Sequence, residues 1–202
     1  MQLKNQKIIG VLALQGSFAE HISMLAQLKV KAVPVRSLAD TKNLDGLIIP
    51  GGESTTMMDL LKTTGLDQWL IKSVKTGLPI YGTCAGMIVL ANLGLIDITV
   101  ARNAYGPQLY SFEDNIELNL FPVSSQRPRQ RSRCGGGRGG GFLFPGVFIR
   151  APRVTKTNRN VRVLAHHGKD PALMEQANVL ASSFHPELTK NQHIHRYFLN
   201  KV

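Results

Sequence analysis

The sequence predicts an α/β fold: an open, mostly parallel sheet with helices on both faces, extended by antiparallel strands. In the first half, short continuous apolar runs such as KIIGVLAL (7–14) alternate with segments of helical periodicity such as SFAEHISMLAQL (17–28). Continuous apolar runs are typical of strands buried on both faces, and their alternation with helices indicates a parallel sheet. After Leu93 the chain changes to successive strand-like segments, which predict the antiparallel extension.

The remaining elements follow in order along the chain. In the first half we predict strands at KAVPVR (31–36), DGLIIP (45–50) and LPIYG (78–82), and helices at STTMMDLL (54–61) and AGMIVLANL (85–93). Ser54 or Thr55 is the expected cap of the first of these helices. In the second half we predict strands at IDITVARN (96–103), NIELNL (115–120), GVFIRAP (146–152), NVRVLAHH (160–167) and NVLASSFH (178–185), and a final helix at HIHRYFLNKV (193–202).

Size and composition predict one globular domain over residues 1–202, with a substantial core. No apolar run approaches the roughly 20 residues that cross a bilayer. The N-terminus lacks the long apolar centre and small-residue cleavage site of a signal peptide. Two cysteines cannot form a disulfide framework, which indicates a reducing compartment. We therefore expect a cytoplasmic protein with no membrane partner.

The net charge of +11 raises the question of an acidic partner. Five arginines and no acid lie within residues 124–141, so nearly half of the excess charge is local rather than spread over a binding face. This segment has almost no apolar content to offset the entropy of ordering it, and we predict an Arg/Gly-rich surface loop over residues 124–145. Such segments can bind RNA, but one short run is weak support, and nucleic acid is not an expected partner.

A candidate nucleophile lies in YGTCAGM (81–87), where small residues surround Cys84. The G-x-C-x-G spacing, after a strand and before a helix, is the cysteine counterpart of the nucleophile elbow. The glycines permit a strained turn that presents the sulfur to a cleft, and the N-terminus of the following helix favours the thiolate. The backbone N–H of Ala85 is then a natural oxyanion donor. The competing interpretation is a small, buried structural thiol.

A base and its orienting carboxylate are predicted in SSFHPEL (182–188). Pro186 favours an extended conformation at His185. Strand alternation then places the side chains of His185 and Glu187 on one side, with Cα atoms roughly 6.5–7 Å apart. Because the segment ends an apolar strand, both groups are expected at the carboxyl edge of the sheet, where α/β proteins bind ligands and where Cys84 also lies.

The other histidines are weaker candidates. His21 lies on the first predicted helix and fits either the core or an interface. His166 and His167 end a strand near a turn, which favours exposure over catalysis. His193 and His195 are two residues apart, a spacing that does not share a helix face. No metal site is expected, because a ligand set needs more partners than these.

The stretch GLIIPGGESTTM (46–57) joins a strand, a Gly-Gly turn and a helix. An ordinary strand-to-helix turn accounts for this pattern. Alternatively, Glu53 and the backbone N–H groups of the turn form a site, since exposed N–H groups can bind a carboxylate or an oxyanion. The turn is not a phosphate loop, because the G-K-[ST] ending is absent.

In this order, the motifs resemble those of class I, or triad, glutamine amidotransferases. Within that group the chain resembles the glutaminase subunits of pyridoxal 5′-phosphate synthases, for which PGGESTT and FIRAP are specific. The matching motifs run almost end to end outside residues 124–145, and they are LQGSFAEH (14–21), GLIIPGGESTTM, YGTCAGM, LGLIDITVARNAYG (93–106), GVFIRAP and SSFHPEL. The resemblance implies a flavodoxin-like, three-layer fold.

The resemblance also implies roles for the site residues. Cys84 attacks the side-chain amide of L-glutamine, His185 activates the thiol and protonates departing ammonia, and Glu187 orients the imidazole. Water then cleaves a γ-glutamyl thioester and releases glutamate. The remaining implied roles are oxyanion stabilisation by Gly52 and Ala85, and substrate binding by Gly52, Glu53, Ser54, Arg102, Ile149 and Arg150. No cofactor is implied.

The resemblance implies a partner as well. In the resembled subunits, ammonia passes to a (β/α)₈-barrel synthase subunit that makes pyridoxal 5′-phosphate, and the glutaminase is poorly active until docked. The first turn and helix, with Gln15, Gly16 and His21, are the expected region of contact and activation. The chain departs from the family pattern at Pro107, where a basic residue is usual, and in a shortened connection near Asn92.

Three alternatives stay open at this point. The chain could be a glutaminase subunit for another synthase, a stand-alone thiol hydrolase of the same fold, or a catalytically weak binding protein that uses the Arg/Gly-rich loop. A response to glutamine separates a glutaminase from a thiol hydrolase of peptides or esters. Salt-dependent RNA binding that is lost on deletion of residues 126–141 would identify the binding protein.

Overall fold

The structure is a computed structural model that describes residues 6–102, 111–118, 120 and 142–202. Its strands are β1 (Ile8–Leu12), β2 (Lys31–Val35), β3 (Gly46–Ile49), β4 (Ile80–Thr83), β5 (Ile98–Ala101), β6 (Ser111–Leu118), β7 (Phe142–Ile149), β8 (Arg153–Thr157), β9 (Arg162–His167), β10 (Asp170–Gln176) and β11 (Val179–Ser182). Its helices are α1 (Phe18–Gln27), α2 (Ser54–Thr64), α3 (Leu66–Lys75), α4 (Ala85–Asn92) and α5 (His193–Leu199), and 3₁₀ turns cover Leu38–Thr41 and Pro186–Leu188. The Arg/Gly-rich residues 124–141 and Pro107 lie outside the described residues.

Within the described residues, nine strands form one sheet in the order β2-β1-β3-β4-β11-β10-β9-β6-β7. The strands from β2 to β11 pair in parallel. The strands from β11 to β7 pair in antiparallel fashion, and β5 and β8 form a separate antiparallel pair. The predicted α/β sheet with an antiparallel extension is confirmed, and the extension accounts for half of the described pairings in the large sheet.

The strand residues explain why helices cover both faces of the sheet. In β3, Ile48 belongs to one apolar cluster with residues of α1 and α5, whereas Leu47 and Ile49 belong to another with residues of α2, α3 and α4. Successive side chains of a strand point to opposite faces. An all-apolar strand therefore needs cover on both sides, and the predicted three-layer arrangement is confirmed.

Three elements were missed by the sequence prediction, namely α3, β8 and β10. Helix α3 follows α2 directly, and only Gly65, in a left-handed conformation with φ +73°, separates them. Strand β8 has five residues, of which only Val154 is buried. Strand β10 contains Pro171 and two register shifts against β9. Short or irregular patterns of this kind give weak periodicity.

Strand β7 begins at Phe142 rather than at Gly146. The predicted loop over 124–145 is therefore wrong for residues 142–145, which pair with residues 115–118 of β6. The low apolar content that predicted the loop holds for the Arg/Gly-rich residues 124–141 but not for the apolar residues 142–144. Among the described strands, β7 lies at the edge of the sheet, which is the position where a strand tolerates a proline such as Pro145.

Gly86 allows α4 to approach β3 closely. A Cβ atom built on Gly86 would lie 2.1 Å from the carbonyl oxygen of Ile49, which only a backbone shift can relieve. We predict that Gly86→Ala lowers the free energy of unfolding by about 3 kcal/mol or more. The direction of the change in unfolding free energy identifies the cause, because Gly→Ala in an unobstructed helix raises the stability by about 1 kcal/mol. Urea unfolding followed by circular dichroism measures the change.

Gly94→Ala is the matched control for this prediction. A Cβ atom there meets no described atom within 4 Å, and only the φ of +67° opposes it. We expect a loss of about 1 kcal/mol from that backbone strain. A loss for Gly86→Ala no larger than the control's would show that close helix–strand approach does not limit stability.

Candidate active site

The segments that follow β1, β3, β4 and β11 meet at the carboxyl edge of the parallel strands. They place Gly16, Gly52, Cys84 and His185 around one cleft of about 390 Å³, a volume that suits a small ligand. The other residues that line the cleft are Ser17, Gly51, Glu53, Ser54, Ala85, Ile88, Arg102, Ile149, Arg150, Pro152 and Leu188. Most of the residues that the sequence predicts for the site therefore surround one space.

Cys84 lies at the sharp turn between β4 and α4, with φ +48° and ψ −105°. This left-handed conformation is strained for a residue that has a side chain, and such strain is common at functional sites. The Cys84 amide donates to the carbonyl of Ser182 (2.8 Å), and its sulfur lies 3.8 Å from the carbonyl oxygen of Ile149. The residue is only 6% exposed, yet it lines the cleft. The turn therefore has the geometry of the predicted elbow.

His185 and Glu187 meet as predicted, but in a different backbone conformation. The imidazole Nδ1 lies 2.7 Å from Oε1 of Glu187. The expected extended conformation is wrong, because β11 ends at Ser182 and residues Pro186–Leu188 form a 3₁₀ turn. Proline at the first position favours such a turn, since its φ is already fixed near the helical value. The turn brings the carboxylate back toward the imidazole, and the His185 amide donates to the carbonyl of Val147 (2.8 Å).

The electrostatics of this pair favour two opposite charges. Burial disfavours the charge on His185, but hydrogen bonds and charges from Cys84 and Glu187 outweigh it and raise the pKa of His185 to about 10. Burial also opposes the charge on Glu187, but His21 and His185 outweigh it and lower the pKa of Glu187 to about 2. At neutral pH the site therefore holds an imidazolium between a carboxylate and a cysteine.

The Gly51–Gly52 turn fits between two functional side chains. A Cβ atom on Gly51 would lie 2.2 Å from Cε1 of His185, and one on Gly52 would lie 2.6 Å from Nε2 of Gln15. The same Gln15 nitrogen donates to the carbonyl of Glu53 (2.8 Å). Two glycines are therefore required here, because any side chain would displace either the imidazole or Gln15.

Glu53 caps helix α2, which corrects the predicted cap at Ser54 or Thr55. Its carboxylate accepts from the amides of Thr55 (3.1 Å) and Thr56 (2.7 Å) and from the hydroxyl of Thr56 (2.8 Å). Hydrogen bonds from Thr56 and then Thr55 lower the pKa of Glu53 to about 2. Arg102 lies beside this cap, where it donates to Oγ1 of Thr55 (3.1 Å).

The predicted oxyanion donors and the second arginine also lie at the cleft. Among the described residues, the amides of Gly52 and Ala85 donate to no other group. Both are therefore available to a ligand in the cleft. Arg150 follows β7 in a left-handed conformation, with φ +43°, and its exposed side chain lines the cleft.

His21 is fully buried behind the cleft. Its Nδ1 lies 3.0 Å from Nε2 of His195, and its Nε2 lies 3.2 Å from Oγ1 of Thr83 and 3.4 Å from Oε2 of Glu187. The expectation that His21 lies at a partner interface is wrong for its side chain, because none of its surface is exposed. Gly16, in contrast, is exposed at the start of the same segment.

Sequence reasoning missed three polar residues around the His185–Glu187 pair, namely Ser17 at the cleft and Thr83 and His195 behind it. Ser17 Oγ donates to Oε1 of Glu187 (2.8 Å). His195 was set aside for its spacing to His193, and no local pattern indicates that it meets His21 from 174 positions away. Ser17 precedes α1 and Thr83 ends β4, so only His195 carries a local signal, as a polar residue among the apolar buried positions of α5.

The described part of the chain contains no cluster of three or more His, Cys, Asp or Glu side chains that could hold a metal ion. None of its helices is long and apolar enough to cross a membrane.

Comparisons with known proteins match most of the chain. The model of the SNO glutamine amidotransferase family matches residues 11–202. Proteins named pyridoxal 5′-phosphate synthase subunit PdxT are 43% identical in Thermotoga neapolitana and 42% identical in Thermotoga maritima, and each alignment covers 96% of this chain and 98% of the relative. The family that the sequence motifs indicate is therefore confirmed.

Solved structures agree. A glutamine amidotransferase crystal structure superposes with a TM-score of 0.82 at 42% identity, over 96% of this chain and 97% of that one. The PurLQS structure from Thermotoga maritima superposes with a TM-score of 0.72 at 16% identity, over 96% of this chain and 98% of that one. At that identity the second match shows the fold alone.

The buried histidines predict a loss of stability in mild acid. Burial, followed by the charge of His21, lowers the pKa of His195 to about 3, and burial lowers the pKa of His21. A histidine whose pKa is lower in the folded state stabilises the fold above pH 6.5, and this contribution is lost as the pH falls. We predict that His195→Phe removes about 1.4 kcal/mol per pH unit from the slope of unfolding free energy between pH 6.5 and 4.5.

This window isolates the two buried histidines. Glu53 and Glu187, with pKa values of about 2 in the folded state, lose their contributions only below about pH 4.5. The contribution of His185, with its raised pKa, is constant below pH 6.5. Phe198→Leu is the control, because it loosens α5 without removing a titrating group and should keep the wild-type slope. Equal slopes in wild type and His195→Phe would mean that His195 is not held neutral.

Proposed function

Because the chain belongs to the SNO glutamine amidotransferase family, we propose that it hydrolyses L-glutamine to L-glutamate and ammonia through Cys84, His185 and Glu187. The position of His185 carries this proposal. Its imidazole is hydrogen-bonded to Glu187, and Cys84, which lines the same cleft, contributes to the raised pKa of His185. A nucleophile, a base and a group that orients the base are what acyl transfer through a covalent intermediate requires.

In the first half-reaction the Cys84 sulfur attacks the side-chain amide carbon of glutamine, and the thiol proton resides on His185. The carbonyl oxygen becomes an oxyanion, for which the amides of Gly52 and Ala85 are the proposed donors. Each such donor typically contributes about 10²–10³ in rate. Collapse of this intermediate breaks the C–N bond, and His185 gives its proton to the leaving nitrogen, so that ammonia departs and a γ-glutamyl thioester remains.

In the second half-reaction the neutral His185 takes a proton from water. The resulting hydroxide attacks the thioester carbon, and the C–S bond then breaks to release glutamate. Glu187 remains ionised throughout, because its pKa is about 2. Its carboxylate therefore holds the imidazole by Nδ1 and stabilises the imidazolium in both steps.

The charges around the cleft suit an amino acid substrate. Arg102 and Arg150 supply two cations for the substrate α-carboxylate. Glu53 is the proposed acceptor for the substrate ammonium: its carboxylate accepts three hydrogen bonds within the protein, and a carboxylate has about four acceptor positions. Gly52, Ser54 and Ile149 line the remainder of this space.

The proposed partner is a (β/α)₈-barrel synthase subunit that uses the ammonia to make pyridoxal 5′-phosphate. Support comes from the relatives at 42–43% identity, which are named as subunits of that synthase. Gln15 and the exposed Gly16 join the end of β1 to α1 at the rim of the cleft. They are the proposed point at which partner binding affects the oxyanion site.

We predict that Cys84→Ala reduces glutamate release from glutamine about 10⁴-fold or more, since loss of the nucleophile removes the covalent route. The assay combines the purified chain with the synthase subunit of a PdxT relative and follows glutamate with and without that subunit. Wild type should respond to the subunit and the variant should not. Cys134→Ala controls for loss of a thiol and should behave as wild type. Full turnover in Cys84→Ala would remove this residue from the mechanism.

We predict that Arg102→Gln and Arg150→Gln each raise the KM for glutamine about 10–100-fold, because a charge-assisted hydrogen bond contributes about 1.5–3 kcal/mol. The value of kcat should change far less, since neither guanidinium contacts the reacting amide in the proposed pose. Arg153→Gln is the matched control: Arg153 is exposed, lies 3.9 Å from Asp170 and does not line the cleft. An unchanged KM in both cleft variants would place the substrate carboxylate elsewhere.

A further inference from the structure

Ser17 occupies the N-cap position of α1 but makes no side-chain cap hydrogen bond. Its hydroxyl donates instead to Oε1 of Glu187 (2.8 Å). The same oxygen lies 2.7 Å from Nδ1 of His185. Serine at an N-cap normally satisfies an amide of its own helix, with a typical value of about 1 kcal/mol. This local stabilisation is absent, and the hydroxyl serves a carboxylate whose side chain has no exposed surface.

The other oxygen of Glu187 faces the same helix. His21 lies four residues after Ser17, so both side chains project from one face of α1. Nε2 of His21 is 3.4 Å from Oε2 of Glu187, which is close for an ion–dipole contact but long for a hydrogen bond. Among the described residues this oxygen has no hydrogen-bond partner. His21 is therefore the polar group that compensates the buried charge on that side.

Only one tautomer of His21 suits this position. A hydrogen on Nε2 points its positive end at the carboxylate and toward Oγ1 of Thr83, whereas a lone pair on Nε2 would repel the carboxylate. With Nε2 protonated, Nδ1 accepts from Nε2–H of His195, at 3.0 Å. Nδ1 of His195 then carries no hydrogen and is an acceptor. Among the described residues, this atom has no hydrogen-bond partner. The opposite arrangement would leave a buried N–H donor unpaired, which is rarer and costlier.

Both rings are neutral in this arrangement. The charged and titratable groups that face His21 are Glu187, His185 and, on its own helix, Glu20, and the neighbouring ring is His195. Burial exceeds the attraction of the two acids and lowers the pKa of His21. A neutral donor orients Glu187 without neutralising it, so the full negative charge stays available to His185.

We propose that α1 is the positioning element of the catalytic carboxylate, in which Ser17 and His21 hold the two oxygens of Glu187 and His195 fixes His21 as the Nε2–H tautomer. The proposal rests on the proposed function for its catalytic consequence. Its structural part, the tautomer, is independent of any activity. Ser17, His21 and His195 touch neither the nucleophile nor, in the proposed pose, the reacting atoms, and they act through Glu187.

The first experiment determines the tautomer of His21 by two-bond ¹H–¹⁵N correlation spectra of the full chain labelled with ¹⁵N-histidine, assigned with His21→Gln. We expect the Nε2–H form of His21 in wild type. In His195→Leu the Nδ1–H form should gain population, because the ring that fixes the tautomer is gone. An Nδ1–H tautomer in wild type would overturn the proposal, even if the protein proves to be a glutaminase.

The second experiment compares His21→Leu with His21→Gln in the glutaminase assay with the synthase subunit. We expect His21→Leu to lower kcat about 10–100-fold, the effect of misplacing a catalytic group by about 1 Å. KM should stay unchanged, since His21 does not line the cleft. His21→Gln keeps an N–H near the original Nε2 and should restore kcat to near the wild-type value.

Leu25→Ala is the matched control, because it loosens the buried face of α1 without touching Glu187 and should keep kcat at temperatures below unfolding. An equal loss of kcat in His21→Leu and His21→Gln would show that the ring serves only packing and would overturn the proposal. Absence of glutamine turnover in wild type with the partner would instead refute the proposed function, and the tautomer measurement would still decide the structural part.

Discussion

A fully buried carboxylate needs donors on every side, because an uncompensated charge inside a protein costs several kcal/mol. Around Glu187 these groups come from two distant parts of the chain: Ser17 and His185 are hydrogen-bonded to Oε1, and His21 of α1 lies 3.4 Å from Oε2. Helix α1 and the segment after β11 must therefore pack together before the charge is stable. The cleft lies immediately in front of this cluster, so its catalytic face depends on the same contacts.

Close backbone approach is the second constraint, and glycine meets it at the site. The imidazole of His185 can occupy its position only because Gly51 has no side chain, and Gln15 reaches Glu53 only because Gly52 has none. The backbone is also strained at the nucleophile, where Cys84 has a φ of +48°. The hydrogen bond from its amide to Ser182 helps to hold that conformation and connects the elbow to the strand that leads to His185.

Local patterns made much of this architecture predictable. The G-x-C-x-G spacing specifies a turn between neighbouring elements, so the elbow at Cys84 followed from the sequence. The pairing of His185 with Glu187 was also predictable, although from an extended conformation that the 3₁₀ turn replaces. Two residues of separation limit how far apart such side chains can lie, so the pair survived an error in the backbone.

Contacts across the whole chain were not predictable in this way. Ser17 lies 170 positions from Glu187, and His21 lies 174 positions from His195. No periodicity links residues at such distances, and only the packing of α1 against α5 and the turn after β11 brings them together. The cap at Glu53 was missed for a different reason: a glutamate side chain folds back on its own helix where shorter polar residues are the usual caps.

The register of the β6–β7 hairpin sets how far the two ends of its ladder lie from the cleft. Ser111 pairs with Ile149 at one end of the hairpin and Leu118 pairs with Phe142 at the other. The end of the ladder at Leu118 and Phe142 therefore lies seven residues along β7 from Ile149, roughly 23 Å from the rim of the cleft. The residue pairs between the two ends hold Ile149 in place. The far end of the ladder is accordingly a suitable place to graft an epitope or a fluorescent reporter without disturbing turnover.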